Sequence, residues 1–113
     1  MGERFTEFYI LGPEGQAEGY PQELDRGAEA RIILGVINHE GEATAYKAEI
    51  TLAGETVAQI APITLGHGER WEREVGFAPL KAGPNQKAEF LLYKANSDDP
   101  YRSLHLWISV QGP

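Results

Sequence analysis

Ser103 and His105 are the residues whose types and spacing come closest to a hydrolytic pair in this chain of 113 residues. A serine becomes a nucleophile when a histidine accepts its proton and a carboxylate orients that histidine. The two residues share one face of an alternating segment, but two positions along a β-strand separate their Cβ atoms by about 7 Å. That distance is too long for a direct hydrogen bond in ordinary rotamers, and no glycine-flanked elbow surrounds any serine. The sequence therefore predicts no catalytic residues and no enzyme activity.

Three histidines, His39, His67 and His105, are the candidates for metal ligands. They fall in two turns and one strand, without the close spacing, such as His-x-x-x-His on a helix, that brings ligands together. His39, its neighbour Glu40 and His67 are interpreted as solvated turn residues. The chain has no cysteine, which excludes thiolate ligands, thiol nucleophiles and disulfides. We therefore expect no metal site and no cofactor.

An oxygen-rich segment, residues 96–99 with the sequence Asn-Ser-Asp-Asp, is a weaker candidate for calcium. Calcium takes six to eight oxygen ligands, and an EF-hand loop has acids at alternate positions, a central glycine and a distal glutamate. This segment has adjacent acids but neither the glycine nor the glutamate. A turn in which Asn and Asp side chains bond their own backbone is the favoured interpretation.

The acidic charge balance limits the possible partners. The chain has 17 acidic and 10 basic residues, which gives a net charge of −7. Nucleic acid is excluded as a partner because its binding requires a basic stripe, and none is present. No apolar run approaches the roughly 20 residues of a membrane helix, and the first residues lack the apolar stretch of a signal peptide. We interpret residues 1–4 as a linker or an added remnant and residues 5–113 as a single domain.

Alternation with a period of two dominates the chain, and helical periodicity is nearly absent. Turn-rich residues separate seven alternating segments, at the spacing typical of a β-sandwich. The fourth segment ends at Ala61-Pro62 because proline interrupts a strand. The predicted strands are residues 5–11, 29–38, 44–53, 56–60, 70–77, 86–94 and 101–111.

Seven such strands are best accommodated by two antiparallel sheets packed face to face. The predicted fold is an all-β, seven-stranded antiparallel β-sandwich of the immunoglobulin-like type, in the looser fibronectin-like sense. The antibody hallmarks are incomplete, because there is no cysteine pair and Tyr46 stands where an antibody domain has tryptophan. A barrel is the alternative. The predicted core comprises Ile32, Leu34, Tyr46, Ile50, Trp71, Phe90, Leu104, Leu106 and Ile108.

The outward face of the last two predicted strands is the candidate binding surface. If these strands pair as a hairpin, a set of mostly aromatic side chains comes together. Such a set can expose more than the few hundred Å² of apolar area at which a patch begins to imply function. Tryptophan and tyrosine anchor protein interfaces or stack on sugars. One alternative is that the loop with Tyr20 and Pro21 covers this face, and another is that bulky side chains blunt an edge strand. The predicted surface consists of Leu91, Tyr93, Tyr101, His105 and Trp107.

Four segments together resemble a known family. They are FTEFYILGPEGQAEGYP, GVINHEGEATAYKAEI, ITLGHGERWEREVGF, and NQKAEFLLYK followed by PYRSLHLWISV. They resemble the C-terminal soluble region of DUF1616, an uncharacterised and mainly archaeal family of membrane proteins. The turns after Asn38 and after Leu65 also resemble those of adhesion-type immunoglobulin-like sandwich domains. The family has no assigned activity, so the resemblance supplies no catalytic residues.

The resemblance implies an extracytoplasmic domain at the cell surface, tethered to the membrane by helices outside this sequence. The expected function is non-catalytic, in adhesion, assembly or spacing at the cell envelope. The expected partners are another protein or a second copy of the chain, and the domain itself does not enter the membrane. The alternative function is a carbohydrate-binding module that uses the aromatic sheet face on a glycan.

Overall fold

A computed structural model describes residues 3–112 of the chain, and all of their regular structure is β-strand. No helix in this part of the chain is long and apolar enough to span a membrane. The interpretation of residues 1–4 as a linker or remnant rests partly on residues 1 and 2, which lie outside the described residues, as does residue 113. The strands are β1 (Phe5–Leu11), β2 (Glu23–Asp25), β3 (Ala30–His39), β4 (Thr44–Leu52), β5 (Glu55–Leu65), β6 (Arg70–Phe77), β7 (Gly83–Lys94) and β8 (Arg102–Gln111).

These strands form two sheets, a three-stranded sheet in the order β1-β3-β6 and a five-stranded sheet in the order β2-β8-β7-β4-β5. Their inward side chains meet in one apolar cluster, so the fold of the described residues is a two-layer sandwich and not a closed barrel. The core includes Ile32, Leu34, Val36, Val75 and Phe77 from the smaller sheet and Tyr46, Ile50, Phe90, Leu92, Ile108 and Val110 from the larger one.

The expected count of seven strands and the all-antiparallel arrangement were wrong, because the described chain has an eighth strand that pairs in parallel. Strand β2 is three residues long and pairs with the end of β8, from Ser109 to Gln111. The Ser109 N–H donates to the Gln22 carbonyl oxygen at 2.9 Å, and the Arg26 N–H donates to the Gln111 carbonyl oxygen at 2.6 Å. Three residues contain too little alternation to predict a strand, so this pairing left no signal in the sequence.

The predicted end of the fourth strand at Ala61-Pro62 was also wrong, since β5 continues to Leu65. Two circumstances make Pro62 tolerable there. Strand β5 is at the edge of its sheet, and the register with β4 shifts between Tyr46 and Ala48, so that Ala61 and Pro62 bulge out opposite the single Lys47. A proline at an edge bulge removes no hydrogen bond from the sheet.

The predicted core is confirmed for six residues and needs correction for three. Trp71, Leu104 and Leu106 are only partly buried, although they pack against the core. Trp71 lies on the edge strand β6, and both leucines lie on the part of β8 that has a neighbouring strand on one side only. A side chain at an open edge lacks neighbours on one side and stays partly accessible to water.

Candidate interaction surface

The predicted pairing of the last two strands is confirmed, because β7 and β8 form an antiparallel pair. Side chains alternate between the two faces of a strand, and Ile108 points into the core. Trp107 and His105 therefore point outward, where they lie opposite Lys87 and Glu89 of β7. The outer face of the five-stranded sheet thus carries these aromatic side chains beside charged ones.

Trp107 is the dominant apolar group of this face. Its side chain is 57% exposed, although it sits on a regular strand. The ring of His105 packs against it edge-on, with the ring centres 5.9 Å apart and the planes at 76°. An open cavity of about 430 Å³ adjoins it, with Tyr20, Pro21, Gln22, Glu23, Asn85, Leu106 and Ser109 in its wall. Trp107 therefore stands at the corner where the outer face meets the edge of the sheet.

The loop before β2 runs beside Trp107 and does not cover it. The Tyr20 hydroxyl donates to the carbonyl oxygen of Ile10 at 3.1 Å, so this side chain is directed toward β1 of the other sheet. Gln22 then continues into β2 along the edge of β8. The expectation that this loop covers the aromatic face is thus not met at Trp107.

Leu91 and Tyr93 lie on the same outer face, but they are half-buried among charged side chains. The Lys47 ammonium lies 4.7 Å from the centre of the Tyr93 ring, and Glu49 is opposite Leu91. Tyr93 is six positions along β7 from the residue that faces Trp107, which corresponds to roughly 20 Å. Trp107 and Tyr93 therefore lie at opposite ends of the face, with Leu91 between them opposite Ser103, and there is no continuous aromatic patch.

Tyr101 does not lie on the outer face that was predicted for it. Its hydroxyl donates to Glu40 Oε2 at 2.7 Å, and the Lys94 ammonium lies 4.1 Å from the centre of its ring. Lys94 is opposite the buried Tyr46 and so belongs to the inward face of β7. Tyr101 precedes β8, so the alternation of that strand does not fix its direction, and it turns to the end of the sandwich.

Glu40 at this end is buried, which corrects its interpretation as a solvated turn residue. Its carboxylate accepts hydrogen bonds from Thr6 Oγ1 at 2.7 Å and from Tyr101, and it lies 3.4 Å from the Lys94 ammonium. Burial raises the pKa of Glu40, but the two hydrogen bonds and the charge of Lys94 together outweigh it and hold the pKa below its ordinary value. The group is fully paired, so we regard it as structural.

Asn38 explains the two turns that resemble those of adhesion-type domains. Its side chain is completely buried, and Nδ2 donates to the carbonyl oxygens of Glu42 and Leu65, each at 2.8 Å. Its Oδ1 accepts from the Glu40 N–H at 2.7 Å. One side chain thus ties the β3–β4 turn to the end of β5. The motif is a structural clamp.

The prediction of His39 as a solvated turn residue was wrong, because it is the half-buried last residue of β3. Both His39 and His67 contact residues distant in the chain. His39 Nε2 lies 2.6 Å from Glu7 Oε2, and its ring stacks on Phe5 with centres 4.7 Å apart. His67 Nδ1 accepts from the Gly41 N–H at 3.1 Å. Within residues 3–112, no three His, Cys, Asp or Glu side chains lie close enough together to hold a metal ion.

The sequence model of a family described as Domain of unknown function (DUF1616) matches residues 1–109. The chain belongs to the DUF1616 family. No curated protein matches this DUF1616 domain significantly. The resemblance noted in its sequence is thereby confirmed.

Solved structures with the same fold include the CARDB domain of the PF1109 protein from Pyrococcus furiosus, whose crystal structure is a complex with di-metal ions. It has a TM-score of 0.68 and 15% identity, with 96% of this chain and 89% of that chain covered. The solution structure of the same domain gives a TM-score of 0.63 and 14% identity, with 96% and 97% covered. A β-glucosidase from Listeria innocua in complex with isofagomine has a TM-score of 0.60 and 14% identity, but this DUF1616 domain, all of which aligns, spans only 17% of that chain. At these identities the likeness establishes the fold alone.

Proposed function

We propose that this DUF1616 domain is a non-catalytic interaction module of the cell envelope, of the immunoglobulin-like, fibronectin-like type. In this proposal, membrane helices outside the present sequence display it on the extracytoplasmic side, where it serves adhesion, assembly or spacing. Family membership and the CARDB-type fold support this class of protein. The observation that carries the proposal is the exposure of Trp107 on a regular strand.

Exposure of Trp107 leaves a large apolar surface in water. Burial of a large apolar side chain is worth about 1.5–3 kcal/mol, and tryptophan is among the residues that contribute most to protein interfaces. The side chain is held on a strand by the pairing of β7 with β8, so little conformational freedom is lost when a partner covers it. These properties favour a contact site centred on Trp107.

The polar neighbours of Trp107 favour a protein as the partner. Lys87 lies directly opposite, its ammonium is 3.8 Å from Glu89 Oε2, and Glu89 is in turn opposite His105. An apolar anchor inside a rim of charged groups is the usual anatomy of a protein interface. Of the other four predicted surface residues, His105 lies at this site, Leu91 and Tyr93 lie farther along the outer face, and Tyr101 lies outside it.

A glycan is the second candidate ligand. An exposed indole ring can stack on the apolar face of a sugar, and Lys87 and Glu89 would supply a donor and an acceptor for sugar hydroxyls. This candidate predicts that isolated envelope polysaccharide shifts the emission of Trp107. A protein partner predicts that the polysaccharide has no effect and that protease treatment of the envelope abolishes binding.

The test compares Trp107→Ala with Lys47→Ala, which alters the same outer face at its other end. Purified domains are immobilised, and the binding of envelope fragments from the source cells is measured. We expect Trp107→Ala to weaken binding at least about tenfold, which is roughly 1.4 kcal/mol, while Lys47→Ala binds like the wild type. Equal binding by Trp107→Ala and the wild type would overturn the proposal.

A further inference from the structure

Strand β8 has an open edge next to Trp107. One side of β8 pairs with β7 along its length, but among residues 3–112 the other side pairs only with β2, from Ser109 onward. The N–H of Ser109 and the carbonyl of Gln111 point to that side. Because backbone groups alternate along a strand, Ser103, His105 and Trp107 also direct theirs to it.

The pairing of β2 with β8 does not continue past Gln22. Gln22 accepts the hydrogen bond from Ser109, and within residues 3–112 the register of β2 with β8 begins at Glu23. Pro21 lines the cavity beside Trp107, so the chain passes this edge without pairing with it. Chain pairing thus ends at Ser109, and the edge from Ser103 to Trp107 is left open.

The sheet edges formed by β5, β6 and β1 carry features that discourage strand addition. Strand β5 contains Pro62 within its bulge. Strand β6 begins with the charged residues Arg70, Glu72, Arg73 and Glu74, interrupted only by Trp71. On β1, the carbonyl oxygen of Thr6 accepts from Arg102 Nε at 3.3 Å, and that of Ile10 accepts from Tyr20.

By contrast, the open segment of β8 has no such feature. Residues 103–108 read SLHLWI, without proline, glycine, acid, lysine or arginine. This segment is regular, since the one register shift between β7 and β8 places its extra residue in β7. A straight, apolar and unpaired edge is a template for another strand.

We propose that this edge pairs with the same edge of a second copy of the chain, antiparallel about a two-fold axis, so that two five-stranded sheets become one. This inference rests on the proposed function and names a partner for the surface around Trp107.

The open run from Ser103 to Trp107 is centred on His105. Its length is limited by β2 at one end and by the start of β8 at the other. Only a register centred on His105 uses the whole run in both copies.

In that register the pairing is self-complementary. His105 faces His105 of the second copy, and Ser103 faces Trp107, so the largest side chain lies opposite one of the smallest. The residues that point to the edge form hydrogen-bonded pairs, which supply roughly six interchain bonds. The net charge of −7 opposes association in general, but residues 100–112 contain no acid, which limits the repulsion between the two strands themselves.

Sedimentation equilibrium from micromolar to millimolar concentration measures the association of the purified domain. We expect a monomer–dimer equilibrium, weakened at least tenfold by His105→Glu, which sets two carboxylates against each other on the axis. The control is Thr64→Glu, which adds the same charge at an exposed position on β5. His105→Pro removes an N–H that points to the open edge and not to β7, so it also tests the pairing, and its thermal unfolding checks that it folds.

A single cysteine reports the geometry, because the chain has none. A short thiol cross-linker should join His105→Cys into dimers and leave Thr64→Cys monomeric. A wild-type domain that stays monomeric at millimolar concentration, equal cross-linking at both positions, or an unweakened His105→Glu dimer would each overturn the self-pairing. None of these results depends on envelope binding, so the proposed function fails or stands separately through Trp107→Ala.

Discussion

The ring of Tyr9 lies on Gly35, in the space that any other side chain at that position would need. A Cβ added to Gly35 would be 2.0 Å from Tyr9 Cζ. The Tyr9 hydroxyl reaches past the glycine and donates to Glu72 Oε1 at 2.8 Å. One side chain of β1 therefore spans β3 and contacts β6, across the whole smaller sheet.

Gly35→Ala should destabilise the domain by about 1–3 kcal/mol, because the new methyl group displaces the Tyr9 ring. Urea unfolding measures this loss. The matched control is Gly35→Ala in a Tyr9→Ala background, where the space is already empty. There the alanine should cost little, and an equal cost in both backgrounds would show that the ring is not the cause.

Alkaline pH should weaken the same contact. Burial and then the hydrogen bond and charge of Glu72 raise the pKa of Tyr9 to about 12, from 10.0. The folded state thus favours the protonated phenol, so its contribution is complete below pH 10 and is lost as the pH rises toward 12. Absorbance titration should show that a tyrosine titrating near pH 12 in the wild type is lost in Tyr9→Phe. An unchanged titration curve would contradict the assignment.

Acid should weaken the end of the sandwich through Glu40. Its pKa is lowered from the ordinary 4.5, so the carboxylate contributes stability above pH 4.5 that is lost as the pH falls through the lowered value. Glu40→Gln should cost about 1–3 kcal/mol at pH 7, and the difference from the wild type should shrink in acid. Exposed Glu42→Gln is the control. A difference that does not change with pH would contradict this role.

Asn38→Ala should be among the most destabilising polar substitutions. It leaves three backbone groups without their partner, namely the carbonyls of Glu42 and Leu65 and the N–H of Glu40. Each unpaired buried group costs about 1–3 kcal/mol. The melting temperature of Asn38→Ala should be clearly lower than that of the control Asn96→Ala, which changes an exposed turn residue. Similar melting temperatures for the two variants would refute the clamp.

Aspartate substitutions on the inward face of β8 test how deeply its positions are buried. Ile108 is completely buried, whereas Leu106 is only partly buried. An unpaired buried charge costs several kcal/mol, against a total stability of about 5–15 kcal/mol. Ile108→Asp should therefore abolish folding, and Leu106→Asp should leave a weakened but cooperative transition in circular dichroism. The reverse order would contradict the deeper burial of Ile108.

The alternation of apolar and polar residues predicted much of this fold, because most strands bury every second side chain. The bounds of β1 and β6 were predicted without error, and the pairing of β7 with β8 followed from their adjacency. A strand can continue through Pro62 because β5 is an edge strand, and only the complete sheet order reveals that position. The short β2 lacked any pattern of its own.

The candidate site was predicted only in part. The outward direction of Trp107 followed from strand parity, which is a local property. The direction of Tyr101 and the burial of Glu40 depend on each other and on Thr6, which lies 34 residues before Glu40 in the chain. Contacts between such distant residues are set by how the sheets pack, and no spacing within one segment encodes them.

The most direct test of the account is the fluorescence of Trp107 in a Trp71→Phe background, with acrylamide as the quencher. In dilute solution we predict red-shifted, strongly quenched emission, because the indole is largely exposed. Addition of envelope fragments should shift the emission to the blue and protect it from the quencher. Blue-shifted and protected emission in dilute solution, or no change with the fragments, would contradict a contact site centred on Trp107.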